Sequence, residues 1–236
     1  MAAPNCFACQ GRERAEWCVL TSDEVSLLDR GRVSRDYAAG ERIFADGDTC
    51  RGVYCIESGL VGLRKGDGEG RGMLLHIVGA GQTLGYRAFL SGENYETDAE
   101  ALEPSRVCLI DAATVRSLLQ RNPELGLRYL ARISKTLGEA DARLFSNATL
   151  PVRARLAHLL SVLIERYGQR QPKGSATLEL PLSRKDLAAM IGVTPESLSR
   201  GIAALEAGGA AEFTGRRVEV PSLRALLAEF ESEPVL

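Results

Sequence analysis

The alternation of apolar and polar positions changes period along the chain. Between Gly40 and about Asp111, short apolar runs (Arg51-Gly-Val-Tyr-Cys-Ile, Gly59-Leu-Val-Gly-Leu-Arg, Met73-Leu-Leu-His-Ile-Val and Arg106-Val-Cys-Leu-Ile) are separated by Gly, Asp and Asn turns. Short strands at roughly regular spacing predict an antiparallel β domain built as a sandwich, jelly roll or barrel. After Asp111 the period becomes helical. Pro123 suits a first helical turn, and Ile133, Leu137, Ala140 and Leu144 follow at spacings of 4, 3 and 4. That is the seam of a two-stranded coiled coil, or the inner face of a helix packed on its own domain. Pro151 breaks the helix, and a second amphipathic stretch runs from Val152 to Tyr167 before a polar turn from Gly168 to Ser175.

The stretch from Leu182 to Ile202 meets several position-specific requirements at once. Ser183 can cap a helix whose apolar face is Leu187 and Ile191, Ala188 is small where another helix crosses closely, and Gly192 supplies a left-handed turn residue. Thr194 then caps a second helix with Pro195 at its first position and Leu198 and Ile202 facing inward. Glu196, Ser197, Ser199 and Arg200 are left on the outer side near its N-terminal end. Arg can bond guanine O6 and N7 together, Glu can accept from the cytosine amino group, and Ser suits a base edge or a phosphate. Beyond Gly208-Gly209, the stretch Ala211 to Val220 predicts a hairpin with Arg216 and Arg217 near its tip, the wing of a winged helix-turn-helix.

Charge supports this reading only when divided by region. The net charge of −2 gives no sign of a polyanion-binding protein. Residues 1–150 carry 18 basic and 21 acidic side chains, residues 151–217 carry 10 and 6, and residues 218–236 carry 1 and 4. The helix-turn-helix thus lies in a basic segment between two acidic ones, and local positive charge is enough to approach a phosphate backbone. A composition of 45% apolar and 25% charged residues excludes collagen-like repeats and wholesale disorder. No apolar run approaches the roughly 18 residues that span a bilayer, and no signal-peptide pattern opens the chain, so no membrane partner and a reducing cytoplasm are expected. An enzyme is disfavoured by the lack of a phosphate-binding Gly-rich helix entry, a nucleophile motif or an acid–base pair.

Six cysteines in 236 residues are too sparse for a disulfide scaffold, and in a reducing compartment they suit metal ligation, redox chemistry or burial. Cys6, Cys9 and Cys18 form a C-x2-C-x8-C arm ahead of the β domain, and Cys108 lies in a predicted strand. Cys50 and Cys55 are expected to be buried strand residues.

With these elements in this order, the chain resembles the Crp/Fnr family of bacterial transcription regulators. The resemblance implies an α+β protein: a cysteine-rich arm (residues 1–22), a jelly-roll-like β-roll sensor domain (23–120), a long dimerisation helix (121–150) and a winged helix-turn-helix (151–236). In the Fnr branch the recognition helix carries Glu, two residues, then Ser-Arg, matched here by Glu196, Ser199 and Arg200. This implies a TTGA-like palindrome on double-stranded DNA, bound by a homodimer that engages RNA polymerase and acts as an activator. Fnr-type oxygen sensors hold a [4Fe–4S] cluster on three N-terminal cysteines and a fourth in a strand preceded by Ala-Leu-Glu. The resemblance thus implies Cys6, Cys9, Cys18 and Cys108 as ligands, since each iron takes one thiolate. Zinc on the same thiolates, a dithiol switch and a haem with His76 as axial ligand are the alternatives. Cyclic nucleotide is not expected: Tyr86 replaces the ribose-binding Glu, and Glu96-Thr97 replaces the phosphate-binding Arg-Ser, so a carboxylate would repel the phosphate.

Overall fold

Eight strands between Arg32 and Asp111 build two four-stranded antiparallel sheets. They are β1 (Arg32–Tyr37), β2 (Arg42–Phe44), β3 (Gly52–Ser58), β4 (Leu60–Gly66), β5 (Gly72–Gly79), β6 (Thr83–Leu84), β7 (Asp98–Ala101) and β8 (Ser105–Asp111). One sheet has the order β1-β8-β3-β6 and the other β2-β7-β4-β5. The computed structural model describes residues 5–66, 72–171 and 174–231. Pro172 and Lys173 of the polar turn lie outside the described residues. The β domain starts earlier than its apolar runs predict because β1 is an edge strand whose residues are mostly exposed or half-buried, which leaves little apolar alternation to read.

The pleat of β3 sorts its side chains into two cores. Tyr54 and Ile56 join Phe44, Val61, Val78, Ala99 and Val107, strand residues from both sheets, and the loop residue Tyr95 in one core. Val53 and Cys55 point the other way, into a second core made with Cys6, Trp17, Leu28, Ile110, Val115, Leu118 and Tyr129. That second core is covered by the N-terminal arm, which consists of a 3-10 turn (Cys6–Ala8), helix α1 (Gln10–Arg14), a second 3-10 turn (Glu16–Val19) and helix α2 (Ser22–Arg30). A capping box between Thr21 and Glu24 starts α2. After α3 (Tyr86–Ser91), α4 (Ala112–Arg121) begins where the Asp111 carboxylate accepts from the Thr114 N–H at 2.9 Å. Helix α5 follows over Pro123–Thr149.

The chain divides into two compact units, residues 1–137 and 138–236, and α5 runs through the division. The second unit contains α6 (Val152–Tyr167), β9 (Gln169–Arg170), β10 (Ala176–Glu179), α7 (Arg184–Met190), α8 (Pro195–Ala207), β11 (Glu212–Thr214), β12 (Arg217–Val220) and α9 (Leu223–Glu231). Its antiparallel sheet has the order β11-β12-β10-β9. Leu156, Leu160, Leu187, Leu198, Leu205, Val218 and Leu226 are all buried in this unit. The α+β class, with an N-terminal β domain, a long helix and a C-terminal helix-turn-helix, is as the sequence implies.

Candidate DNA interface and thiol site

Local chemistry sets the two helices of the second unit. The Ser183 hydroxyl accepts from the Asp186 N–H at 3.1 Å, and the Asp186 carboxylate accepts from the Ser183 N–H at 3.1 Å, which closes a capping box on α7. Leu187, Ala188 and Ile191 are buried as the pattern predicts. Gly192 has φ +66°, a left-handed conformation that an L side chain rarely adopts, and it turns the chain into α8. There Thr194 caps by accepting from the Ser197 N–H at 3.3 Å, Pro195 takes the first turn, and Leu198 and Ile202 are buried.

This arrangement leaves Glu196, Ser199 and Arg200 exposed in the first turns of α8, with Ser197 half-buried beside them. One terminal nitrogen of the exposed Arg200 guanidinium donates to the Ser197 hydroxyl at 3.0 Å, which leaves the guanidinium further donors. The Ser199 hydroxyl donates to the Pro195 carbonyl at 3.0 Å. The Glu196 carboxyl titrates below its ordinary value, chiefly because its own backbone N–H at the helix start favours the ionised form. It is therefore an acceptor at neutral pH.

The wing is the β11–β12 hairpin, with Gly215 at φ +62° and Arg216 in its turn. Its two arginines differ. Arg216 donates one N–H to the Leu180 carbonyl at 2.9 Å and keeps its remaining donors, whereas Arg217 pairs with Glu219 at 2.7 Å. The sequence pattern does not single out Arg184, yet its guanidinium lies 5.0 Å from the Phe213 ring centre and donates to the Gly215 carbonyl at 3.4 Å. It adds another cation beside the wing tip, with no signal in the sequence beyond a basic residue after a cap.

In the first unit, Cys6, Cys55 and Cys108 are buried, while Cys9, Cys18 and Cys50 are half-buried. The Cys6 N–H donates to Asp29 at 2.8 Å, and the Asp29 carboxylate accepts from Arg32 at 2.8 Å. Cys108 lies 3.1 Å from the Ser34 hydroxyl and 3.7 Å from the Glu57 carboxylate, and the Arg32 guanidinium reaches it at 3.9 Å. Burial, partly offset by the Arg32 charge, pushes the Cys6 thiol up to about 12. Burial likewise raises Cys108 against the lowering effect of the Ser34 hydrogen bond. These thiols are protonated at neutral pH.

Among the described residues, no three His, Cys, Asp or Glu side chains converge as they stand to hold a metal ion. A cube-shaped cluster spreads its four thiolates over four irons, wider than a single ion does. Soft thiols with the Arg32 guanidinium 3.9 Å from Cys108 are donors of the kind iron–sulfur clusters use, but among the described residues they are not gathered into one ligand set.

The segment aligned with a nucleotide phosphate cassette is filled otherwise. Tyr86 is buried, with the Arg132 guanidinium 5.4 Å from its ring centre, and Arg87 pairs with Glu96 at 3.1 Å. His76 lies half-buried on β5.

Of the four seam positions, Leu137 and Leu144 are 61% and 70% exposed, Ala140 is half-buried, and Ile133 packs partly against the core of the first unit. Leu127, Leu130 and Phe145 are also exposed on α5. No helix among the described residues is long and apolar enough to cross a membrane.

Residues 34–122 match the cyclic nucleotide-binding domain family, and residues 154–229 match the Crp-like helix-turn-helix domain family. The transcriptional activator protein FnrL of Cereibacter sphaeroides is 25% identical over 229 residues, 95% of this chain and 91% of that one. The fumarate and nitrate reduction regulatory protein of Salmonella typhi is 27% identical over 227 residues, 93% and 89% of the two chains. A solved transcriptional regulator of the CRP/FNR family from Thermus thermophilus shares the fold with a TM-score of 0.70 at 25% identity, covering 86% of this chain and 100% of its own.

Proposed function

The chain belongs to the Crp/Fnr family of DNA-binding transcription regulators, and on that premise we propose that it is an oxygen- or redox-responsive member binding a TTGA-like palindrome as a homodimer. Arg200 reads guanine, Glu196 accepts from a base amino group, Ser199 serves the thymine side, and Ser197 orients Arg200. Arg216 and Arg184 hold phosphates. Leu137 and Leu144 supply the dimer contact on α5, and the complex recruits RNA polymerase. The setting is the reducing cytoplasm, with a β-roll that takes no cyclic nucleotide because Tyr86 and the Arg87–Glu96 pair occupy the cassette.

The observation that carries the sensory reading is the meeting of the arm with β8 around Arg32. Arg32 shares the Asp29 carboxylate with the Cys6 N–H, each at 2.8 Å, and its guanidinium lies 3.9 Å from the Cys108 thiol, so it joins two residues that the arm and the sheet contribute separately. Cys6, Cys9, Cys18 and Cys108 would hold a [4Fe–4S] cluster, which supplies oxidant-sensitive chemistry when bound. The chain's own part is to keep those thiols beneath the arm, to offset their charge with Arg32, and to let a change in the arm reach α5. An allosteric link needs an element with two arrangements that both sites bias, and the exposed leucines of α5 provide a dimer seam of that kind. The test is a mobility shift of a palindromic DNA fragment by protein purified without air and then exposed to it. Binding that requires the air-free protein supports the reading, and binding indifferent to air and to iron removal contradicts it.

A further inference from the structure

Glu206 sits in the last turn of α8, where local chemistry argues against it. The C-terminal end of a helix carries partial negative charge, so a carboxylate there is repelled by its own backbone. A surface that approaches DNA phosphates disfavours it again. The structure gives it a compensating partner: the Glu206 carboxylate accepts from the Phe213 N–H at 3.1 Å. Phe213 is the middle residue of β11, an edge strand, and this N–H is bonded to α8 rather than to a neighbouring strand.

Phe213 carries the next link. The Arg184 guanidinium lies 5.0 Å from the Phe213 ring centre and donates to the Gly215 carbonyl at 3.4 Å, so this exposed cation rests on the ring and against the wing turn with donors to spare. Arg216 is anchored separately. Its carbonyl accepts from the Leu180 N–H at 2.8 Å, and its Nε–H donates to the Leu180 carbonyl at 2.9 Å. Leu180 directly follows β10, so Arg216 is held from the centre of the sheet, whereas Arg184 depends on where β11 places the Phe213 ring.

We propose that Glu206 is a positioning residue for DNA binding: by holding the Phe213 backbone it sets the aromatic platform that aims Arg184 at a phosphate. This rests on the phosphate role given to Arg184 above. An acidic side chain of the DNA-binding domain thereby strengthens DNA binding instead of opposing it.

The test is titration of an unrelated duplex at several salt concentrations with full-length protein purified without air, since a phosphate contact is independent of sequence. Glu206→Ala removes a negative charge and inserts a better helix former, so charge and propensity alone would tighten binding and stabilise α8. The expected result is instead about fivefold weaker binding and a salt slope smaller by about one unit, with a thermal midpoint no lower than wild type. Glu206→Gln keeps a carbonyl acceptor for the Phe213 N–H and is expected to bind at least as tightly as wild type. Arg184→Ala is expected to lose at least as much as Glu206→Ala, and the double variant no more than Arg184→Ala alone.

Glu206→Ala that binds as tightly as wild type or tighter, Glu206→Gln weakened as much as Glu206→Ala, or losses that add in the double variant would overturn this inference. Weaker binding that comes with a lowered midpoint in Glu206→Ala would do the same. Each of these, with Arg184→Ala still weakened, leaves the phosphate role of Arg184 standing. Arg184→Ala with unchanged affinity and slope removes that role and this inference together.

Discussion

Glu16 of the N-terminal arm and Arg132 of α5 form an ion pair at 3.1 Å, and the same carboxylate accepts a hydrogen bond from Thr83 at 2.7 Å. Glu16 is buried and the Arg132 side chain is 24% exposed, so the pair is poorly screened. It ties the segment that carries Cys6, Cys9 and Cys18 to the helix that carries the proposed dimer seam. Trp17 reinforces it by meeting Tyr129 of α5 with ring centres 5.8 Å apart.

Glu16→Gln leaves the Arg132 charge with a weaker partner, and a cost of about 1–3 kcal/mol to the first unit is expected. A double-mutant cycle with Arg132→Met, read by urea unfolding, is expected to give a coupling of roughly 1 kcal/mol or more. Additive single effects would show that the two residues act independently and that the arm is held by Trp17 and its apolar neighbours alone.

Arg200→Ala is expected to weaken binding to the palindrome by about 1–3 kcal/mol and to relax the preference at one base pair in each half-site. Competition between fragments differing at that pair checks it. If affinity and preference both stay unchanged, α8 is not the recognition helix.

The wing arginines separate by their partners. Arg216→Ala is expected to weaken binding to all sequences alike and to lower the salt dependence by about one unit of slope. Arg217→Ala is expected to do less, because Glu219 already engages its guanidinium. Titrations of an unrelated duplex at several salt concentrations distinguish the two, and equal losses would mean that the Arg217–Glu219 pair opens on DNA.

Leu137→Asp with Leu144→Asp places charge where α5 is apolar and exposed, and sedimentation is expected to show a monomer. The wild type is expected to remain dimeric after iron is removed, because Ala140 puts no charge into the seam. A clean dimer-to-monomer change on loss of iron would contradict that.

His158 on α6 is half-buried against the Phe230 ring at 5.1 Å, and desolvation lowers its pKa below 6.5. On acidification the unfolded chain takes up this proton first, so the stability that the neutral form contributes is present above about pH 6.5 and is lost as pH falls through the folded value. Thermal unfolding of wild type and His158→Gln between pH 7.5 and 5 is the check. The wild type is expected to lose more stability over that range, and parallel curves would rule out a role for His158.

How much of this is legible in the sequence depends on how local the determining contacts are. The helix-turn-helix can be read because Ser183, Gly192, Thr194 and Pro195 each act on their own backbone within a few residues. In the β-roll, β3, β4, β5 and β8 can be read from their apolar runs, whereas β1 is an edge strand without that signal and β2, β6 and β7 are too short to show one. The thiol site can be read only in part. Cys6, Cys9 and Cys18 announce themselves by spacing, but the pairing of Cys55 with Cys108 is set by the register of two strands far apart in the chain. The link from Glu16 to Arg132 spans 116 residues and leaves no local trace in the sequence. Arg184 escapes notice for the same reason, since its contact with the wing forms only on folding.

The central claim, that this regulator senses through an iron–sulfur cluster, is tested most directly by iron, acid-labile sulfide and the visible spectrum of full-length protein purified without air. The account predicts about four iron and four sulfide per chain, with a broad visible absorbance that is lost in air. Zinc alone, or neither iron nor sulfide, would contradict it.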